Sequence, residues 1–174
     1  MAMKIKALLL ALALLVPNLA IADDILNPQT NQSALTVNKG QLPGTATNDS
    51  AAAGNVGEFQ TNSASGVSFT SGSAFNITSL SLTAGDWDVW GYFGVSNSGT
   101  TTYTALQYSL STTNSVLGLT MGENVSIAGA TYTRPLIMQR FSLSAPTTIF
   151  NVCQFTFSGG TPVASGAIYA RRVR

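Results

Sequence analysis

The stretch Gly85-Asp86-Trp87-Asp88-Val89-Trp90-Gly91-Tyr92-Phe93-Gly94-Val95-Ser96 decides the fold. Successive side chains of a β-strand point to opposite faces. Read that way, Trp87, Val89, Phe93 and Val95 share one face with Gly91, while Asp86, Asp88, Trp90 and Tyr92 share the other. The first set reads as a core face. The second carries aromatic rings as well, which predicts that it too is covered, by another subunit or by a ligand. Just upstream, Phe75, Ile77 and Ser79 alternate against Asn76, Thr78, Leu80 and Leu82. The parity switch near Leu80 predicts a bulge or a strand covered on both sides.

Similar short runs rich in Val, Ile, Thr, Phe and Tyr recur from residue 57 onward. They give candidate strands at 58–61, 66–70, 75–83, 87–96, 101–111, 130–133, 136–143, 147–157 and 164–171. Gly85, Ser98-Gly99, Gly129, Ala145-Pro146 and Ser158-Gly159-Gly160 supply turn chemistry between them. Many short strands at roughly ten-residue spacing predict an all-β, antiparallel β-sandwich or barrel. Residues 113–125 read as a long connection, and no repeat is visible.

Composition narrows the function. Of 174 residues only 9% are charged, against about a quarter in an ordinary soluble domain. The surface is therefore kept wet by hydroxyls, and 40 residues are Ser or Thr. A net charge of +1, with no basic cluster beyond Arg171, Arg172 and Arg174, leaves no electrostatic footprint for nucleic acid. Histidine is absent, which excludes Ser-His-Asp and Cys-His catalysis, histidine metal sites and any base with an unperturbed pKa near neutrality. The glycines around Gly54 and Gly57 form no phosphate-binding motif, and no cofactor is expected. Cys153, in the apolar run Phe150-Asn151-Val152-Cys153-Gln154-Phe155, reads as a buried, unactivated thiol.

The N-terminus carries Lys4 and Lys6, an apolar run from Ala7 to Val16, then Pro17 and the small-residue pattern Ala20-Ile21-Ala22. That is the layout of a secretory signal peptide cleaved after Ala22. Its uncharged stretch of 16 residues is shorter than the roughly 20 that span a bilayer as a helix. The other reading is a retained hydrophobic helix that docks to a larger assembly. Residues 23–56 are poor in apolar side chains and read as an extended arm or linker, with the β-sandwich domain at 57–174.

Three blocks carry a resemblance to a known family. They are Thr45-Ala46-Thr47-Asn48-Asp49-Ser50-Ala51-Ala52-Ala53-Gly54-Asn55-Val56-Gly57-Glu58, then Ile77-Thr78-Ser79-Leu80-Ser81-Leu82-Thr83-Ala84-Gly85-Asp86-Trp87-Asp88-Val89, and Gln154-Phe155-Thr156-Phe157-Ser158-Gly159-Gly160 with the ending Ala170-Arg171-Arg172-Val173-Arg174. Residues 42–174 resemble a domain of tail-fibre, spike and other virion-surface proteins of tailed bacteriophages. The resemblance implies a jelly roll of the tumour-necrosis-factor-like type, a homotrimer at the exposed end of a virion protein. Two departures stand out: a signal-peptide-like leader, and only about 20 residues between it and the matching region where a fibre would carry a long shaft.

Among the seven acids outside the leader, Asp86 and Asp88 are the close pair, on one face of a strand and about 7 Å apart at the backbone. A glycosidase needs two carboxylates in a cleft and calcium needs six to eight oxygens; the bland reading is a solvated strand start. Trp90 and Tyr92 are the binding candidates, either as a stacking platform for a host cell-surface glycan or as subunit interface. The three terminal arginines read as a solvated end or as ion pairs to a neighbour, or alternatively as contacts to anionic glycans or lipid heads.

The combined expectation is a non-enzymatic virion-surface protein: a small fibre, spike or decoration protein that attaches to the host as a homotrimer. Its N-terminal arm would contact other virion proteins. The alternative is a secreted or cell-surface bacterial binding module, prophage-derived and glycan-binding.

Overall fold

A computed structural model describes residues 50–96, 100–119, 121–128 and 131–174. The leader at 1–22, its cleavage site, the arm up to residue 49 and the turn residues Ser98-Gly99 and Gly129 lie outside the described residues. Eight strands follow one another: β1 Phe59–Ser68, β2 Ala74–Leu82, β3 Gly85–Ser96, β4 Thr102–Ser111, β5 Met121–Ala128, β6 Tyr132–Leu143, β7 Thr147–Ser158 and β8 Val163–Arg172.

They form two four-stranded antiparallel sheets, β1-β8-β3-β6 and β2-β7-β4-β5. The pairs β1–β8, β2–β7, β3–β6 and β4–β5 are those of one long ribbon folded back on itself at the β4–β5 turn. Rolling that ribbon up brings β3 beside β8 and β4 beside β7. This is the eight-stranded jelly roll, an all-β sandwich.

The core lies between the sheets. Trp87, Val89, Phe93 and Val95 are fully buried, as the alternation in β3 predicts, and they meet Leu106, Ile149, Phe155 and Ile168 from the other strands. Burying each such side chain contributes about 1.5–3 kcal/mol relative to leaving it in water. Aromatic rings fill the middle: Phe93 lies 4.6 Å from Tyr108 and 5.2 Å from Phe155, centroid to centroid. Gly91 falls on this inward face because a Cβ there would run into the Ala167 carbonyl of β8. Cys153 is buried in the same core, and burial pushes its thiol pKa well up.

The structure corrects the strand reading in four places. The runs at 58–61 and 66–70 are one strand, β1, with a register shift between Ala64 and Val67. Those at 130–133 and 136–143 likewise join, from Tyr132 onward, as β6, an edge strand in which Pro135 is tolerated because one side needs no ladder donor. The connection expected at 113–125 contains the start of β5. Met121, Glu123, Val125 and Ile127 alternate half-buried against exposed Gly122, Asn124, Ser126 and Ala128, so the period is present but Gly, Glu and Asn mask it. The bulge sits at Ile77, where the register shifts between Asn76 and Thr78, rather than near Leu80. Ile77 and Thr78 are therefore both buried.

Candidate functional site

The outer face of the β1-β8-β3-β6 sheet gathers Asp86, Asp88, Trp90 and Tyr92, and strand register sorts them into rows. In the row nearest the chain end, Asp86 of β3 pairs with Ser142 of β6. In the next, Asp88 stands between Arg171 of β8 and Arg140 of β6, and Arg140 Nε donates to Asp88 Oδ1 at 2.6 Å. The third row is apolar. Trp90 stands opposite Tyr169 of β8 on one side and, on the other, opposite the β6 bulge that holds Ile137 and Met138. Tyr92 lies in a fourth row, between Ala167 and Pro135.

Phe59, at the start of β1, leans into the third row. Its ring centroid is 6.1 Å from Trp90 and 6.3 Å from Tyr169, and Trp90 and Tyr169 stack at 5.9 Å with 27° between planes. Trp90 is thus half-buried among neighbouring rings of its own chain. Its ring partners are Phe59 and Tyr169 rather than Tyr92. Phe59 is 41% exposed, Tyr92 37%, Ile137 61% and Met138 60%. An apolar band therefore crosses all four strands.

Beside the band lies a buried polar anchor. Arg172, at the end of β8, donates from Nε to Glu58 Oε2 at 2.9 Å and from Nη1 to the Ala84 carbonyl at 2.8 Å, and it reaches Thr83 Oγ1 through Nη2. Its guanidinium lies 4.3 Å from the Trp87 ring centroid. Glu58 also accepts from the Gly54 amide at 2.8 Å and Gln60 Nε2 at 2.6 Å. Burial alone would raise the Glu58 pKa, but these hydrogen bonds and the Arg172 charge outweigh it and hold the carboxyl below its usual range. Gly85, with φ of 133°, leaves the space that the Arg172 guanidinium occupies.

At the end of the β3–β6 ladder, Gly85, Asp86, Ser142, Leu143, Ser144 and Arg174 line an open hollow of about 430 Å³. Arg174 Nε and Nη2 donate to Asp86 Oδ2 at 2.8 and 2.7 Å. A hydrogen bond from Ser142, followed by the Arg174 contact, lowers the Asp86 pKa. Among the described residues no group of three or more His, Cys, Asp or Glu could hold a metal ion.

The structure thus places Asp86, Asp88, Trp90 and Tyr92 on one face, as their spacing requires. It separates them into a charged end, with Asp86 and Asp88 each ion-paired, and an apolar band. Phe59, Tyr169, Ile137, Met138, Ser142 and Arg174 are additions that the β3 sequence alone does not reveal. Alternation gives a signal for one of them, because Tyr169 sits between inward Ile168 and Ala170.

No known protein family and no curated protein matches this chain. Two solved structures are similar over part of it. A structure of infectious bursal disease virus, Gx strain, overlaps at 17% identity and a TM-score of 0.42, covering 64% of this chain and 32% of that one. The VP2 subviral particle of the same virus overlaps at 14% identity and a TM-score of 0.41, covering 66% and 33%. The chain spans about a third of the length of either.

Proposed function

We propose that this chain is a non-enzymatic structural protein of a virion surface: a small bacteriophage fibre, spike or decoration protein that attaches to the host as a homotrimer. The observation that carries the reading is the apolar band across the outer face of the β1-β8-β3-β6 sheet. Exposed apolar surface of this extent marks an interaction site. On its flank Asp88 is matched within the chain by Arg140, so a second copy could cover that pair without leaving the carboxylate unpaired.

Four strands of ten to twelve residues present a face of about 15–19 Å by about 33–40 Å. Two copies meeting there bury on the order of 1,000–1,500 Å², which overlaps the range of specific interfaces. The resemblance to phage virion-surface domains gives the biological setting, and the N-terminal arm is the segment left for other virion proteins. Light scattering of the purified chain tests the assembly. A trimer supports the reading, and a monomer at micromolar concentration overturns it.

The alternative, a secreted or cell-surface binding module, draws on Lys4, Lys6, the apolar run and Ala20-Ile21-Ala22. Mass spectrometry of the native protein separates the two. An N-terminus at Asp23 supports export, and an intact chain within purified particles supports a retained docking segment.

A further inference from the structure

We infer that the hollow between Gly85 and Arg174 is a binding site for a neutral saccharide; this rests on the attachment reading and gives that attachment a location. Its volume of about 430 Å³ falls in the range of small-ligand sites, about 300–1,000 Å³. The lining combines the two chemistries a sugar needs. Leu143 offers an apolar surface for ring C–H groups, while Ser142, Ser144, Asp86 and Arg174 offer polar groups for hydroxyls.

Counting donors and acceptors shows spare capacity. A guanidinium has five N–H donors and a carboxylate about four acceptor positions. Arg174 directs Nε and Nη2 at Asp86 and its side chain is 84% exposed, so its remaining N–H groups are open to solvent. Asp86 accepts from Arg174 and Ser142 and keeps acceptor positions unused. An adjacent acceptor and donor of this kind suit a pair of neighbouring hydroxyls, each of which both donates and accepts.

The site is also held in place before any ligand arrives. Gly85 and Asp86 are fixed to Leu143 and Ser142 by the ladder. The Asp86 amide donates to the Arg174 carbonyl at 3.3 Å, and the Val173 amide donates to the Asp86 carbonyl at 2.9 Å. Beneath Gly85 the buried Arg172 is locked by Glu58, Ala84 and Thr83. The backbone of the site then needs little ordering on binding.

Charge selects the ligand class. The Arg174 guanidinium is already paired with the Asp86 carboxylate, so the hollow offers no unpaired cation to an anion, and Asp86 repels one. Among the described residues no cluster of acids could hold a calcium ion for a bridged sugar.

The full-length chain, labelled for NMR, is titrated with millimolar methyl glucoside, methyl galactoside and methyl mannoside, and separately with N-acetylneuraminic acid. The expected result is a saturable shift of the Gly85, Ser142 and Ser144 amides with at least one neutral glycoside. Asp86→Asn, which keeps the shape, should weaken that binding roughly tenfold or more. Ser144→Ala should weaken it less, and Tyr92→Phe on the apolar band should not alter it. No shift at these amides with any neutral glycoside overturns the inference, as does a response to the anionic sugar alone. Light scattering on the same sample keeps the two ideas apart: a trimer without binding removes only the sugar site, and binding by a monomer removes only the trimer.

Discussion

Glu58 and Arg172 are 114 residues apart in sequence, yet Arg172 Nε sits 2.9 Å from Glu58 Oε2 with both side chains about 95% buried. The pair joins the approach to β1 to the last residue of β8. The backbone repeats the tie, since the Arg172 amide donates to the Glu58 carbonyl and the Gly57 amide to the Arg172 carbonyl, both at 2.9 Å. Removing one partner of a buried pair leaves an uncompensated charge and costs about 3–5 kcal/mol. Glu58→Ala and Arg172→Met should each lower the unfolding free energy by about that amount in urea titrations. The double variant should cost less than the sum of the two.

Stability should fall in acid for the same reason. Because the folded-state pKa of Glu58 lies below its usual 4.5, its contribution is complete above about that pH and is lost as pH falls through the lower folded value. Asp86 shifts in the same direction. With no histidine to titrate, the melting temperature should be nearly flat from pH 7 to about pH 5 and decline below about pH 4.5. Glu58→Gln should flatten that acid limb, and an unchanged limb would count against the assignment.

Close approach of β3 and β8 at Gly91 sets a third expectation. Gly91→Ala drives a methyl group into the Ala167 carbonyl, and overpacking of this kind costs about 1–3 kcal/mol or more. Gly122→Ala in β5 is the control, because its new methyl meets Gln107 Cγ at 3.4 Å, an ordinary contact. Thermal melts should show a large loss for the first and little change for the second.

The paired substitution Trp90→Ala with Tyr92→Ala tests the apolar band. If copies meet there, truncation removes buried aromatic area worth about 3–5 kcal/mol per well-buried ring, and light scattering should show dissociation to monomers. A sugar platform formed by the same two rings would instead lose cell binding while the oligomer and its melting temperature stayed put. We expect dissociation, because Trp90 shares an apolar band with Phe59 and Tyr169 while Tyr92 stands in another row, so the two rings do not form one platform.

Cys153 supplies a reporter of these changes. Its thiol is fully buried with a raised pKa, so thiol reagents should modify the native protein no faster than it opens. Rapid labelling without denaturant would contradict the burial.

How legible this molecule is from sequence depends on where each residue sits. β3 is central, and its period-2 pattern places Trp87, Val89, Phe93 and Val95 in the core with Trp90 and Tyr92 on the outer face. β5 is an edge strand with one half-buried face, and its Gly122-Glu123-Asn124 stretch reads as loop because only tertiary pairing with β4 makes it a strand. Phe59, Tyr169 and Met138 join Trp90 through register across three other strands, a long-range property that local alternation does not contain. The hollow is similar: Ser142 and Leu143 meet Asp86 and Gly85 only once β6 has paired with β3.

The ribbon pairing has a consequence for timing. Its innermost pair, β4 with β5, joins neighbours in the chain, whereas β1 waits for β8. Loop closure over such separations slows folding. At about 5–20 residues per second of synthesis, β1 emerges on the order of ten seconds before its partner. Throughout that interval the edge that β1 will occupy does not yet exist, and the strand has no ladder partner to close its backbone groups.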